Sequence, residues 1–262
     1  MYKIGFLGLG KMGSSILNGI LSSSIYNKED IAFYAPSDKI KEKGKSLGIS
    51  LADNERDLFI SSQLIILAIE PQKYDEVFAK LNDIDFTDKI IISLAPGKTI
   101  SYLKKIFKDA HVVRAMPNTP SVISKGVTTL AFDDMEIKEV IDIFSSIGTY
   151  KVVKEEEIDL AIPLHGSMPA YFFEFIKAFR DAAISYGLDK EEATSLALHA
   201  VIGCAELALK SDEDLDTLID KVCSKGGATI AGLNVLRENG FDEIIKKCYI
   251  ACVNRSKELK VE

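Results

Sequence analysis

The stretch "KIGFLGLGKMGSSILNGILSS", residues 3–23, joins an apolar run to a helical pattern through a cluster of glycines. "KIGFLG" (3–8) has the short, continuous apolar character of a buried strand. "KMGSSILNGILSS" (11–23) has the apolar spacing of an amphipathic helix. A strand, a glycine turn and a helix in this order predict the first β-α unit of a parallel sheet.

The glycines of "GLGKMG" (8–13) have the GxGxxG spacing of a dinucleotide-binding turn. In such a turn Gly8 permits the tight bend, Gly10 lets a pyrophosphate approach the backbone, and Gly13 permits close packing of the helix. The N-terminus of the helix then points its amides at the phosphates. Glycines also mark ordinary turns, but their position between a strand and a helix favours nucleotide binding.

Strands and helices alternate through the first part of the chain. Apolar, β-rich runs recur at 31–35, 64–69, 89–95, 111–116, 127–132 and 149–153, with helical stretches near 38–47, 72–81 and 99–107. This alternation predicts an α/β fold, a doubly wound, mostly parallel sheet of the Rossmann type over residues 1–157.

The remaining residues, 158–262, form a second domain that we predict to be all-helical. The segments 169–187, 190–211, 215–224, 228–239 and 241–259 have helical periodicity. Several of them, notably 196–209, are apolar over more than one face. Such helices suit a core shared with a second copy of the chain, although a tightly packed monomer has the same pattern.

The composition limits the possible partners. The chain has 262 residues, 47% of them hydrophobic and 27% charged, with a formal net charge of −7. We expect no nucleic-acid or membrane partner, because the net charge gives no positive field and the run "LIILAI" (64–69) is too short to span a bilayer. "MYKIGFLGLG" (1–10) has no secretory pattern, so we expect a cytoplasmic protein. The four cysteines lack a CxxC pair and the three histidines are scattered, so we predict no metal site.

The end of the second strand indicates which nucleotide is bound. A carboxylate at this position would hydrogen-bond the ribose hydroxyls of NAD. In "YAPSDK" (34–39) the first side chains beyond the strand are Pro36 and Ser37, and Asp38 is displaced. A serine hydroxyl accommodates a 2′-phosphate that a carboxylate repels, which favours NADPH and leaves NADH possible.

Three further strand ends carry prolines, in "AIEPQ" (68–72), "SLAPG" (93–97) and "RAMPNTP" (114–120). Open α/β sheets bind ligands at the carboxyl edge of the strands, so these segments predict a rigid wall on the nicotinamide side.

In the helical half, "VCSKGGATIAGL" (222–233) places two glycines before a helix. The amides of Gly226, Gly227 and Ala228, with the Ser224 hydroxyl, predict an anion site. The alternative is a glycine turn before an ordinary capped helix.

These motifs together resemble the pyrroline-5-carboxylate reductase family over nearly the whole chain. The resemblance rests on "GFLGLGKMG" (5–13), "RAMPNTP" (114–120), "GSMPAYFFEFIKA" (166–178) and "KGGATIAGLNVLRENGF" (225–241), which stand in the family's order and separation. It implies an N-terminal Rossmann domain, a C-terminal helical dimerisation domain and a homodimer or a larger assembly of dimers. It also implies reduction of 1-pyrroline-5-carboxylate to L-proline with NADPH or NADH, the last step of proline biosynthesis.

The resemblance assigns roles to individual residues. It gives the pyrophosphate to the turn made of Gly8, Leu9, Gly10, Lys11, Met12 and Gly13. The remaining cofactor contacts go to Ser37, Asn54, Ala68, Pro71, Ala95 and Asn118, and Asn118 also faces the substrate. It implies that the substrate carboxylate is bound by Ser224, Gly226, Gly227 and Ala228. Thr229, the candidate catalytic residue, is implied to hydrogen-bond the ring nitrogen. Arg114 is expected to be a structural anchor.

Four positions depart from the family pattern. Glu70 stands where a lysine is customary, and Lys225 replaces a proline. His165 and Met168, in "HGSMPA" (165–170), replace a serine and a glycine. The departures at Glu70, His165 and Met168 motivate one alternative, a reductase-like paralogue that binds nucleotide without turnover. The other alternative is a β-hydroxyacid dehydrogenase that uses Lys177, but the asparagine expected four residues later is Asp181.

Overall fold

A computed structural model describes residues 1–260 of the chain. Its strands are β1 Tyr2–Leu7, β2 Ile31–Tyr34, β3 Ser50–Leu51, β4 Ser62–Leu67, β5 Ile90–Ser93, β6 His111–Met116, β7 Gly126–Phe132 and β8 Gly148–Val152. Its α-helices are α1 Lys11–Ser22, α2 Asp38–Ser46, α3 Glu55–Ser61, α4 Tyr74–Phe78, α5 Ile100–Ile106, α6 Lys138–Ser145, α7 Ile158–Ala161, α8 Met168–Ser185, α9 Lys190–Lys210, α10 Leu215–Val222, α11 Ala228–Glu238 and α12 Phe241–Glu258.

The strands form one sheet in the order β3-β2-β1-β4-β5-β6-β7-β8. Neighbouring strands are parallel except β6 and β7, which are antiparallel. The chain leaves β1 for β2 on one side and later returns to β4 on the other, so the order reverses between β1 and β4. Ligands bind at the carboxyl edge at such a point. The predicted doubly wound, mostly parallel sheet is confirmed.

Two apolar layers cover the faces of the sheet. Alternation along β1 sends Ile4 and Phe6 into one layer, where they join Ile16 of α1. Leu7 belongs to the other layer, which also contains Phe59 of α3. With both faces buried, the central strands need continuous apolar runs rather than alternating ones, as "LIILAI" shows.

The chain divides into two compact units, residues 1–169 with the segment from Cys252 onwards, and Ala170–Ala251. Within the first unit the end of α12 returns to α7. The Ser256 hydroxyl donates to Asp159 Oδ1 at 2.7 Å, and Lys260 Nζ lies 2.6 Å from Asp159 Oδ2. The division at residues 157 and 158 stays a prediction about where one folding domain ends.

The second unit consists of helices whose apolar side chains are largely exposed in the single chain. Examples are Phe173 and Leu196, each 64% exposed, and Ile202, 55% exposed. By length and composition α9 is also apolar enough to cross a membrane, and it is the one such helix among the described residues. Exposed apolar area on this scale marks a surface that interacts with another protein or with a membrane.

Candidate functional site

The glycine turn between β1 and α1 has the geometry that a pyrophosphate needs. Gly8 has φ +93°, and a Cβ there would lie 2.8 Å from the Ala68 carbonyl oxygen. A Cβ on Gly13 would lie 2.7 Å from the Gly8 carbonyl oxygen, so α1 packs directly on the turn. A Cβ on Gly10 would meet no described atom within 4 Å. The turn is therefore tightly packed at Gly8 and Gly13 and open at Gly10.

The N-terminus of α1 begins at this open side. Gly10 is its N-cap, and no side chain of residues 1–260 caps it. The first amides of α1 are therefore available to an anion. Leu9 is 1% exposed, so its backbone rather than its side chain would contact a ligand. Lys11 is exposed and Met12 half-buried beside it. These observations fit a bound dinucleotide.

The end of β2 leads into Ser37, the exposed N-cap of α2. Its side chain makes no capping hydrogen bond within the described chain, so the hydroxyl is available to a ligand. Asp38 lies in the first turn of α2, and its carboxylate accepts from Lys41 Nζ at 3.2 Å. The nearest carboxylate thus pairs with a lysine of its own helix.

Asn54 is the N-cap of α3, where its Oδ1 accepts a hydrogen bond from the Asp57 amide at 2.9 Å. The residue is exposed. Its capping role explains its position, and its predicted contact with the cofactor stays a prediction.

The ends of β4 and β5 are joined by a buried tyrosine. The Tyr74 hydroxyl lies 3.1 Å from Ser93 Oγ, which accepts from the Ala95 amide at 3.3 Å. Burial raises the pKa of Tyr74 well above its ordinary value, so the phenol keeps its proton at neutral pH. Ala68 is half-buried and Pro71 begins the short 3₁₀ turn after β4. This bracing fixes the two loops predicted to line the nicotinamide side.

The segment "RAMPNTP" ends β6 at the same edge and is anchored by Arg114. Arg114 is 1% exposed, and its Nη1 donates to Glu155 Oε1 at 2.8 Å. The same Glu155 oxygen accepts from the amide of Ile100, the first residue of α5. Arg114 therefore ties β6 to α5 through one carboxylate. Its Nε and Nη2 are buried without a hydrogen-bond partner in the part of the chain described.

Asn118 lies inside this segment and is 7% exposed. Its Oδ1 accepts from the Val127 amide at 2.8 Å, and its Nδ2 donates to the His165 carbonyl at 2.9 Å. These bonds make it a brace between the loop, β7 and the segment after α7. Its predicted contacts with cofactor and substrate stay predictions. The neighbouring Thr119 is exposed.

In the second unit, the turn from Ser224 to Gly227 leads into α11. Gly226 has φ +72°, and the Gly227 amide donates to the Ser224 carbonyl at 3.0 Å. Gly227 is the N-cap, and no side chain in the described range caps the helix. The first amides, beginning with Ala228, are thus open to an anion, and Thr229 is exposed in the first turn. The structure brings Ser224, Gly226, Gly227, Ala228 and Thr229 together in one turn.

One residue near the predicted cofactor site was not found from the sequence. Lys43 of α2 donates to Ser14 Oγ at 2.7 Å, and Ser14 Oγ donates to the Leu9 carbonyl at 2.9 Å. This chain of bonds places an ammonium group beside the glycine turn. Lys43 and Ser14 are 29 positions apart, so no local pattern signals the contact. No group of three or more metal-ligating side chains occurs among residues 1–260.

Comparison with known proteins matches both halves of the chain. Residues 155–259 match a family described as "Pyrroline-5-carboxylate reductase dimerisation", and residues 3–97 match "NADP oxidoreductase coenzyme F420-dependent". The chain is 33% identical to a pyrroline-5-carboxylate reductase of Escherichia coli, over 98% of each protein. Similar solved structures include a Plasmodium falciparum pyrroline carboxylate reductase with NADP bound and a Coxiella burnetii pyrroline-5-carboxylate reductase.

The two structural matches extend over almost the full chain. The Plasmodium structure has a TM-score of 0.88 and 29% identity, covering 99% of this chain and 98% of its own. The Coxiella structure has a TM-score of 0.90 and 32% identity, covering 100% of this chain and 99% of its own.

Proposed function

The chain belongs to the pyrroline-5-carboxylate reductase family, and from this premise we propose that it reduces 1-pyrroline-5-carboxylate to L-proline with NADPH. The single observation that carries the proposal is the match over nearly the full length to reductases of that name, one of them with NADP bound. The predicted reaction is the last step of proline biosynthesis. NADPH supplies a hydride when bound.

The first unit would hold the cofactor through backbone rather than charged side chains. The free amides of α1 and the open face of Gly10 support a pyrophosphate site. We assign the 2′-phosphate to the unused hydroxyl of Ser37, with Asp38 withdrawn into its pair with Lys41. NADPH should therefore be preferred to NADH. The braced loops containing Ala68, Pro71 and Ala95 would line the nicotinamide half, and Asn54 and Asn118 would add further cofactor contacts.

The second unit would hold the substrate. The amides of Gly226 and Ala228 and the hydroxyl of Ser224 offer three donors to a carboxylate, while the Gly227 amide donates to the Ser224 carbonyl and shapes the turn. Thr229 would donate to or accept from the ring nitrogen and so orient the imine. A cyclic imine becomes strongly electrophilic on protonation, so the protein has mainly to position the reacting carbon. Positioning of this kind supplies on the order of 7 kcal/mol or more of barrier reduction in favourable cases.

None of the four departures from the family pattern replaces one of these groups. Glu70 is exposed at the end of β4, and Lys225 is exposed within the Ser224–Gly227 turn. Neither removes a backbone donor. Met168 begins α8, and His165 follows the short 3₁₀ turn Ile162–Leu164. A paralogue that binds nucleotide without turnover remains the competing proposal.

The dehydrogenase alternative has weaker support. Lys177 pairs with Glu174 at 3.2 Å on the exposed side of α8, and Asp181 pairs with Arg180. Both are ordinary solvated pairs within one helix.

We also propose that the chain works as a homodimer or an assembly of dimers in the cytoplasm, without nucleic acid or membrane as partner. The exposed apolar helices of the second unit, α9 above all, support a second copy as the covering surface.

The experiment that tests the function is NADPH oxidation by the purified protein with 1-pyrroline-5-carboxylate, with proline identified as product. A 2-methyl-3-hydroxy acid with NADP is the control substrate for the dehydrogenase alternative. NADPH binding without turnover would favour the paralogue.

A further inference from the structure

His165 occupies a position that neither the cofactor nor the substrate assignment explains. It follows the short 3₁₀ turn Ile162–Leu164 and is 5% exposed. Its Nδ1 lies 2.8 Å from the Ala161 carbonyl oxygen, and its Nε2 lies 2.9 Å from the Met116 carbonyl oxygen. The ring therefore bridges α7 and the last residue of β6.

Carbonyl oxygens only accept hydrogen bonds, so each ring nitrogen must carry a proton for both bonds to form. That condition is met only by the imidazolium cation. In either neutral tautomer one of the two bonds is lost.

Thr129 decides which bond a neutral ring loses. Its Oγ1 lies 3.4 Å from His165 Nε2, and Thr129 is the direct cross-strand neighbour of Met116. A hydroxyl can donate to a bare Nε2, whereas the Ala161 carbonyl cannot donate to a bare Nδ1. The neutral ring therefore keeps its proton on Nδ1, accepts from Thr129 and releases the Met116 carbonyl.

We propose that His165 is a positioning residue that acts as a proton-dependent clasp on the "RAMPNTP" segment. The cation holds the Met116 carbonyl, and loss of one proton exchanges that bond for the Thr129 hydroxyl. Asn118 ties the same loop to the His165 carbonyl, so the segment is held from both the side chain and the backbone of one residue. The inference rests on the proposed function, which places this segment on the nicotinamide side of the site.

The ionisable groups on the surrounding elements are engaged elsewhere. Arg114 of β6 pairs with Glu155, and Asp159 of α7 pairs with Lys260. Cys252 of α12 lies 3.3 Å from Ser167 Oγ. The clasp is therefore set by neutral carbonyl and hydroxyl groups around one imidazole ring.

The test compares the wild-type protein with His165→Gln, which can never be a cation. His111→Gln, at the opposite end of β6, is the matched control. We expect His165→Gln to lower kcat by about tenfold at the acid end of a range from about pH 5 to about pH 9, with the KM for NADPH changed less than about threefold. The ratio of wild-type to variant kcat should fall towards one as pH rises, because the wild-type ring then loses its own clasp. His111→Gln should follow the wild-type profile.

Nitrogen-15 NMR of the histidine rings reports which nitrogens of His165 carry protons, and it does not depend on turnover. The wild-type resonances that are absent from the spectrum of His165→Gln belong to His165. They should show protons on both ring nitrogens at acid pH and on Nδ1 alone at alkaline pH. A ratio independent of pH, or a ring neutral throughout, would overturn the proposal. If His165→Gln unfolds, the wild-type ring spectrum alone tests the proposal. An inactive wild-type enzyme with the predicted ring titration would instead refute the proposed function and leave the clasp intact.

Discussion

Gly10→Ala should weaken NADPH binding while leaving the protein folded. The Gly10 backbone has φ −64° and ψ −165°, an extended conformation that alanine adopts, and the new Cβ would meet no described atom within 4 Å. The change in folding free energy should stay within about 1 kcal/mol, a shift of at most about 4 °C in Tm. The methyl group would nevertheless occupy the space that the pyrophosphate needs.

The magnitude follows from the cost of overpacking, about 1–3 kcal/mol for an added methyl group in a filled site. That range raises the Kd for NADPH by about fivefold to about 150-fold. Isothermal titration calorimetry gives the Kd, and thermal unfolding gives the Tm. Gly8→Ala is the contrasting variant, because its φ of +93° and its 2.8 Å approach to the Ala68 carbonyl predict losses of both stability and binding. An unchanged Kd for Gly10→Ala would refute the assignment of the pyrophosphate to this turn.

Three further substitutions test the choice of cofactor, the role of Thr229 and the Arg114–Glu155 ion pair. Ser37→Glu should move the ratio of kcat/KM for NADPH over NADH towards NADH by at least about tenfold, since a carboxylate repels the 2′-phosphate; an unchanged ratio would show that another group selects the cofactor. Thr229→Val should lower kcat by about ten- to a thousandfold with NADPH affinity retained, and Thr229→Ser should recover most of the rate; wild-type kcat in the valine variant contradicts the assignment. Glu155→Ala should cost about 3 kcal/mol, a fall in Tm of about 6–12 °C, because it leaves the buried Arg114 unpaired. The exposed Glu156→Ala is its control, and an equal Tm for the two variants would count against the ion pair.

The sequence predicted the sheet well because its central strands are buried on both faces. Continuous apolar runs followed by glycine or proline located β1, β4 and β6, and the bounds of β6 were predicted to the residue. The residue pattern did not predict β3, which has two residues, or the helices α3 and α6. The antiparallel pairing of β7 with β6 also went unpredicted, because strand direction depends on the path of the connection rather than on residue pattern.

The candidate site was predictable where backbone conformation requires a particular residue. Gly8 has a positive φ and a close neighbour, so only glycine fits there and the glycine motif predicted the turn. Side-chain direction was not predictable in the same way. Asn118 is predicted to face the site, and that prediction does not reveal the bonds of its amide to Val127 and His165, which lie nine and 47 positions away. The contact of Lys43 with Ser14 depends on the same kind of long-range packing.

Hydride transfer from NADPH to the ring imine of 1-pyrroline-5-carboxylate is the step that defines the proposed activity. The most direct measurement uses NADPH carrying deuterium at both positions of the nicotinamide C4, with proline analysed by mass spectrometry and NMR. We expect one deuterium per proline, bound to the δ carbon that was the imine carbon, with proline formed at the rate of NADPH oxidation. Proline without deuterium, or NADPH consumed with no proline formed, would contradict it.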